Sequence, residues 1–327
     1  MNNTLIITIT LNPSLDQHIT VDGLVVDGPN RWSRLHRYAG GKGIDVSRAI
    51  NEMKGRTIAY GFIGGALGRA VEIFLDEEGV PFSFTPIKGE TRTNFIITDN
   101  KTGKQTRIDA PGPHITRDEF DRFQRKMKRI SPGPDLIVMG GSAPPGIPDN
   151  VYYTIILEAK KYGVRTILDA DDQWLVEGMK ARPYLVKPNV REAQSLVGRE
   201  LPDENAVIKA ALDIVEMGAE IAVISRGGDG IIAATKKTVL KVTPPEVKVK
   251  STVGAGDCTI AGFALKLAGE GPLTKACRLA VAMGTAAVLT PGTELARRED
   301  VEALLPQIKV QNITSRLKKI FSTAKTP

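Results

Sequence analysis

Short apolar runs alternate with longer amphipathic stretches over most of the chain. Residues 5–11, 57–62, 135–139, 165–169, 184–186 and 221–225 are compact runs rich in Ile, Val, Leu and Thr, and read as strands. Residues 44–53, 67–78, 150–162, 189–196 and 205–217 space their apolar positions as helices do. Strand and helix alternating in this way predict an α/β fold: a mostly parallel central sheet with helices on both faces, in three layers. Two stretches break the rhythm. Residues 16–39 and 88–109 show strand-like alternation interrupted by turns, with 93–98, a turn at 100–104, and 105–108 as the clearest example. They predict a small β-sheet inserted from about 12–40 and 88–110, a natural lid beside an α/β crevice. The organisation expected is one domain over 1–310, followed by a basic C-terminal tail over 311–327.

Composition narrows the possibilities. At 327 residues and 42% hydrophobic, the chain can bury a full core. Cys258 and Cys277 are its only cysteines, which excludes a disulfide framework and a four-cysteine zinc site. Residues 1–16 show no secretory pattern, and the longest later apolar stretch, 279–289, falls short of the roughly 20 residues a bilayer needs. The expected location is the cytoplasm, with no membrane partner. Five of the seven net positive charges belong to Lys309, Arg316, Lys318, Lys319 and Lys325, in a segment without acids. The high pI is therefore largely a property of the tail, read as a solvated terminal helix. No nucleic-acid motif accompanies it. The modest surplus elsewhere suits a protein whose ligands are anions.

The strongest local signal is the run Ser251-Thr252-Val253-Gly254-Ala255-Gly256-Asp257 ahead of an apolar helical stretch. Small residues permit a tight turn, and the helix that follows presents free N–H groups to an anion. Asp257 at the mouth of this hole either caps the helix or takes a proton from a hydroxyl lined up for attack. The spacing is not that of a Walker A loop, and neither Lys42 nor Lys104 satisfies that motif. Tyr38 to Val46 forms a second glycine-rich entry to a helix, either a joint or a close approach for a polar ligand. Asn189 and Glu192 have capping-box spacing, and the same pair could face Mg²⁺ or its waters. Arg92 and Arg107 lie on the candidate lid, either solvated or gripping a phosphate. His18, His36 and His114 show no metal spacing.

Taken in order, these motifs resemble the PfkB branch of the ribokinase-like carbohydrate kinases, in particular the 1-phosphofructokinase and tagatose-6-phosphate kinase subgroup. The likeness runs from Thr10 to about Leu305, through Asn12-Pro13-Ser14-Leu15-Asp16, Gly40 to Val46, Thr91 to Asn94, Pro111-Gly112-Pro113, Gly141 to Gly146, Lys187 to Glu192, Ser225 to Gly230, Ser251 to Asp257, and Pro291-Gly292-Thr293. The resemblance implies an ATP-dependent kinase that phosphorylates a ketohexose phosphate. Asp257 would be the base, with Gly254, Ala255 and Gly256 as the anion hole. Lys187, Asn189, Ser225, Gly227, Gly230 and Ser251 would line ATP, and Asn189 and Glu192 would organise Mg²⁺ through water. Asp16, Gly41, Lys42, Asp45 and Ser142 would face the sugar. Arg92, Arg107 and either Arg31 or Lys42 would hold its phosphate. It further implies a homodimer built through the lids. Three positions depart from the subgroup: Asp45 stands where Asn is usual, Gly141 where Ser is usual, and Asp171-Asp172 where Ser-Gly is usual. Asp45, as an acceptor without a donor, favours an unphosphorylated sugar, polyol or nucleoside, whereas Arg92 and Lys42 favour a phosphorylated one. A sensor without turnover would have no need of an intact Asp257.

Overall fold

The structure, a computed structural model, describes residues 4–316. In chain order the first half contains β1 (Leu5–Thr10), β2 (Ser14–Val21), β3 (Trp32–Gly40), α1 (Lys42–Glu52), β4 (Arg56–Ile63), α2 (Gly65–Glu77), β5 (Thr85–Pro86), β6 (Arg92–Asp99), β7 (Gln105–Ile108), α3 (Arg117–Ile130) and β8 (Leu136–Gly141). Next come α4 (Val151–Lys161), β9 (Arg165–Ala170), α5 (Asp172–Met179), β10 (Leu185–Val186), α6 (Val190–Val197), α7 (Glu204–Glu216) and β11 (Ile221–Ser225). The rest is β12 (Ile231–Ala234), β13 (Val239–Thr243), α8 (Ala255–Leu267), α9 (Leu273–Ala287), α10 (Arg298–Leu304) and β14 (Lys309–Asn312).

Ten strands form the central sheet in the order β14-β13-β12-β11-β10-β9-β8-β1-β4-β5. From β5 to β11 every pairing is parallel, and β12 to β14 close the far edge antiparallel. The period of two along each strand sorts side chains between the faces. Ile7, Ile9, Ile137, Met139, Ala222 and Ile224 join the core under α3 to α7. Their neighbours Ile6, Leu136, Val138, Ile221 and Val223 join the core under α1 and α8 to α10. Each fully buried Ile, Leu, Val or Met side chain among them contributes about 1.5–3 kcal/mol. The three-layer α/β/α architecture expected from the alternation of elements is therefore present.

A separate four-stranded sheet, β3-β2-β6-β7, stands at the edge of this body. It is mixed: β2 runs parallel to β6, while β3 and β7 flank them antiparallel. The chain enters it directly from the C-terminal end of β1 through Leu11, Asn12 and Pro13. Ser14 and Asp16 are thereby carried to the crevice where the parallel strands end, the usual place for ligands in such sheets.

Some elements differ from the sequence expectation. Helix α3 was not anticipated among its many charges, although Thr116 and Glu119 form a reciprocal capping box and Phe120, Phe123 and Met127 are buried at helical spacing. The expected tail boundary at 311 falls inside a strand. Residues 309–312 are strand β14, paired with β13, and Ile313 is buried, because an apolar plug there completes the sheet edge. The expected terminal helix is a strand up to Asn312, and residues 317–327 lie outside the described residues. Among the described residues, no helix is long and apolar enough to cross a membrane.

Candidate active site

Helix α8 opens on the crevice. Its N-cap is Gly254, at φ 77°, where a Cβ would fall 2.4 Å from Leu295 Cδ2. The left-handed turn and the lack of room both require glycine. The N–H of Ala255 is held loosely, 3.5 Å from the carbonyl of Thr252, whereas those of Gly256 and Asp257 have no partner among the described residues. Two free donors at the positive end of a helix can receive an anion. No side chain caps α8, so the Asp257 carboxylate is not spent on capping. Burial pushes it up to about 7, opposed by Lys42 and Lys187 and reinforced by Asp169 and Asp171.

Two ammonium groups stand beside these donors. Lys187 follows β10 and reaches Asp169 Oδ1 at 3.2 Å, with both side chains buried. A Cβ on Gly256 would lie 3.7 Å from Lys187 Nζ, which places that charge over the mouth of α8. Lys42, at the start of α1, donates to Asp171 Oδ1 at 2.9 Å and to the Asp169 carbonyl at 3.2 Å, with Asp169 Oδ1 at 3.7 Å. Burial works against the Lys42 charge, but Asp169, Asp171 and Asp257 outweigh it and hold the ammonium above its ordinary range. Asp169 is likewise disfavoured by burial and held below its ordinary range by Lys187 and Lys42.

Facing α8, the start of β2 and the first turn of α1 supply two more carboxylates. Asp16 accepts from Ser14 Oγ at 2.7 Å and Asn94 Nδ2 at 3.0 Å. Burial raises it against those hydrogen bonds and against the charges of Arg92 and Arg107. Asp45 is buried on α1 with its Oδ1 3.1 Å from Arg48. Burial and then the charge of Asp257 raise it well above the usual carboxylate range, against Arg48. Gly41, at φ 119°, caps α1, and a Cβ there would meet Thr10 Cγ2 at 2.5 Å.

The lid arginines divide. Arg92 is half-buried and donates to the Asn12 carbonyl at 2.9 and 3.2 Å and to the Ala110 carbonyl at 2.7 Å. Arg107 is exposed and paired with Asp109 at 3.1 Å. Arg31 lies in the exposed connection before β3, with no hydrogen bond or ion pair among the described residues. Ser142 follows β8 and receives a long contact, 3.5 Å, from Asn12 Nδ2.

On the other side of the parallel strand ends, Asn189 and Glu192 form the expected capping box of α6, each side chain accepting from the other's backbone N–H at 2.9 and 2.8 Å. One carboxylate oxygen of Glu192 and the Asn189 amide nitrogen remain free of that exchange. Ser225 bridges to Asn189 at the end of β11, and Gly227 to Asp229 form a single tight turn. Gly230, at φ 78°, has the Val242 carbonyl 2.0 Å from where a Cβ would stand. A cavity of about 460 Å³ opens between this turn and α6, lined in part by Asn189, Ser225, Arg226, Gly227 and Asp229. Ser251 is buried and braces the loop before α8, accepting from the Val253 N–H at 3.2 Å. Among the described residues, no cluster of three His, Cys, Asp or Glu could hold a metal ion by itself.

The crevice thus gathers Asp16, Lys42, Asp45, Lys187 and Asp257, while Arg31 stays at the lid rim. Sequence reasoning gave no role to Asp169, which pairs with both lysines, to Arg48, which holds Asp45, or to Asn94, which holds Asp16. All three are polar side chains in otherwise ordinary elements; Asn94 lies in the Thr91 to Asn94 run, and only burial marks Asp169 and Arg48.

Comparison with known proteins agrees with this architecture. The pfkB family carbohydrate kinase model matches residues 9–299. The chain is 35% identical over 309 residues to a 1-phosphofructokinase of Bacillus subtilis (strain 168), covering 94% of this chain and 100% of the relative. It is 33% identical over 309 residues to a tagatose-6-phosphate kinase of Staphylococcus epidermidis (strain ATCC 35984), covering 94% and 99%. Among solved structures, phosphofructokinase-2 from Escherichia coli in complex with fructose-6-phosphate superposes with a TM-score of 0.88 at 34% identity, covering 93% of this chain and 99% of that one.

Proposed function

The chain belongs to the pfkB family of carbohydrate kinases, and we propose that it transfers the γ-phosphoryl group of ATP to a hydroxyl of a ketohexose phosphate, with Asp257 as the base. The observation that carries this reading is the Asp257 carboxylate, free of any capping duty beside two unpartnered N–H groups and two lysines. Asp257 takes the proton of the accepting hydroxyl as its oxygen bonds to the γ-phosphorus. The bond from that phosphorus to the bridging oxygen breaks, and ADP leaves with the electron pair. The Gly256 and Asp257 N–H groups and the Lys187 ammonium meet the negative charge on the group in flight. Gly254 and Ala255 shape the turn that aims them.

The relatives' names support the acceptor class: fructose 1-phosphate, fructose 6-phosphate and tagatose 6-phosphate share a phosphate and a polyol chain. Asp16, Gly41, Lys42, Asp45 and Ser142 would contact the hydroxyls, and Arg92, Arg107 and Arg31 the phosphate. Lys187, Asn189, Ser225, Gly227, Gly230 and Ser251 would border ATP. The donor set fits a Mg²⁺ held mainly by nucleotide phosphates and water, with the free Glu192 oxygen and Asn189 nearby. Its chemistry there is to neutralise phosphate charge.

Leu24, Val25, Val26, Trp32 and Ile108 are exposed apolar residues on the lid, which supports a homodimer through that sheet. Both cysteines are free and buried, in keeping with a reducing compartment such as the cytoplasm.

The test is an ADP-release assay with ATP and Mg²⁺ against fructose 1-phosphate, fructose 6-phosphate, tagatose 6-phosphate, fructose, myo-inositol and a nucleoside. Turnover confined to phosphorylated ketoses is expected. Turnover confined to neutral acceptors would favour the second reading, a kinase for an unphosphorylated sugar, polyol or nucleoside, to which the buried Asp45 points.

A further inference from the structure

Asp171 occupies the N-cap of α5, where an aspartate ordinarily accepts a hydrogen bond from the first turn of its own helix. Here it forms no cap bond. Its carboxylate turns instead to Lys42, on a different helix and more than a hundred residues away, at 2.9 Å. The Asp169 carbonyl takes a second Lys42 proton at 3.2 Å, and Asp169 Oδ1 stands 3.7 Å off. Gly141, at φ 80°, completes the seat. A side chain there would be strained, and its Cβ would touch the Lys42 stem at 3.7 Å. Asp169 then links Lys42 to Lys187, whose ammonium lies over Gly256 at the mouth of α8.

We propose that Asp171 is a positioning residue: with the Asp169 carbonyl and the bare Cα of Gly141, it seats the Lys42 ammonium beside the mouth of α8. From that seat Lys42 adds positive charge where the phosphoryl group crosses from donor to acceptor. This rests on reading Asp257 as the base of a phosphoryl transfer. The side chain of Asp171 is 39% exposed, so its removal leaves the core intact, and the forgone cap means that α5 loses nothing directly. A lysine tied to two carboxylates is kept protonated and slow to react. Without Asp171, Lys42 keeps the Asp169 carbonyl and carboxylate but loses its shortest ion pair, so it is deprotonated more often and reacts faster.

Two measurements test the seat. The first follows trinitrobenzenesulfonate modification of Lys42 by peptide mass mapping, which requires no activity. Asp171→Ala is expected to speed modification of Lys42 several-fold over wild type without altering the other lysines. An unchanged rate overturns the seat. The second is a double-mutant cycle in kcat with ATP and the best acceptor. Asp171→Ala and Lys42→Met are each expected to lower kcat by roughly 10-fold or more, with little change in the KM for ATP. The double variant should be no slower than Lys42→Met alone, because Asp171 acts only through Lys42. Multiplicative losses overturn the proposal, as would a wild-type kcat in Asp171→Ala. Asp257→Asn, measured alongside, separates the two ideas. If it stays active while the modification rates respond as expected, the base is wrong and the seat stands. If it is inactive while Lys42 modification ignores Asp171, the seat is wrong and the base stands.

Discussion

Asp45 on α1 lies in the field of Asp257 on α8 across the crevice, and both carboxyls hold their protons above the ordinary carboxylate range. For Asp45, burial is the larger cause and Arg48 the main opposition. A carboxyl whose folded pKa is raised binds more protons folded than unfolded. Stability is therefore full below the unfolded value near 3.8 and is lost as pH rises through the folded one. Asp45→Asn removes that loss, and Arg48 keeps Glu78 as its partner at 2.7 and 2.8 Å. The variant is expected to be more stable than wild type by about 0.5–2 kcal/mol at pH 8, with the gap closing toward pH 4. Thermal melts across that range would show it, and an equal gap at both ends would refute it.

If Asp257 is the base, it must be ionised to work. With Asp257 pushed up to about 7, kcat/KM is expected to climb with pH through that value and level off above it. Asp171→Asn should move that limb to lower pH by removing a carboxylate that raises Asp257. A limb that ignores this substitution would separate the two groups.

Asp257→Asn is expected to lower kcat by roughly 10²–10⁴ with an unchanged melting temperature, or a slightly higher one, since it replaces a carboxyl that burial disfavours. Near-normal turnover would remove Asp257 from the role of base.

Arg92 spends three hydrogen bonds on the carbonyls of Asn12 and Ala110, which ties the root of β6 to the segments around it. Arg92→Ala should raise the KM for a phosphorylated acceptor roughly 10–100-fold and also destabilise the protein by about 1–3 kcal/mol. Steady-state kinetics and a melt together decide. A lower stability with an unchanged KM would make Arg92 a brace alone.

If the apolar lid residues meet a second copy, light scattering should give twice the chain mass for wild type. A Val26→Asp and Trp32→Asp double variant should then run as a monomer. Val26 is 87% exposed and Trp32 61%, so neither change disturbs the core. A wild-type monomer would end the lid-dimer reading.

The alternation of apolar runs and amphipathic stretches was enough to foresee the parallel core, since a strand buried on both faces and a helix buried on one leave different periods. It was enough too for β6 and β7, whose turn lies at 100–104. It was not enough for α3, whose four buried residues sit among ten other positions, many of them charged. Nor did it reveal β12 to β14, because short edge strands carry little periodicity of their own. At the site, the small residues before Asp257 and the Asn189–Glu192 spacing were legible because local backbone geometry demands them. Whether Asp257 capped its helix was not legible, and Gly254 settles that by taking the cap.

The sequence by itself determined the layers, the inserted sheet, the glycine-entered helices and the order of motifs along the crevice. These depend on neighbours a few residues apart. Only the tertiary structure decided the longer-range charge partnerships: Lys42 with Asp171, Lys187 with Asp169, and Asp45 with Asp257. Asp45 and Arg48 share one helix at a spacing of three, but Lys42–Asp171 and Asp45–Asp257 join different elements far apart in the chain. Whether a buried charge is neutral, paired or catalytic depends on what folding brings within a few ångströms of it, and no local pattern encodes that distance.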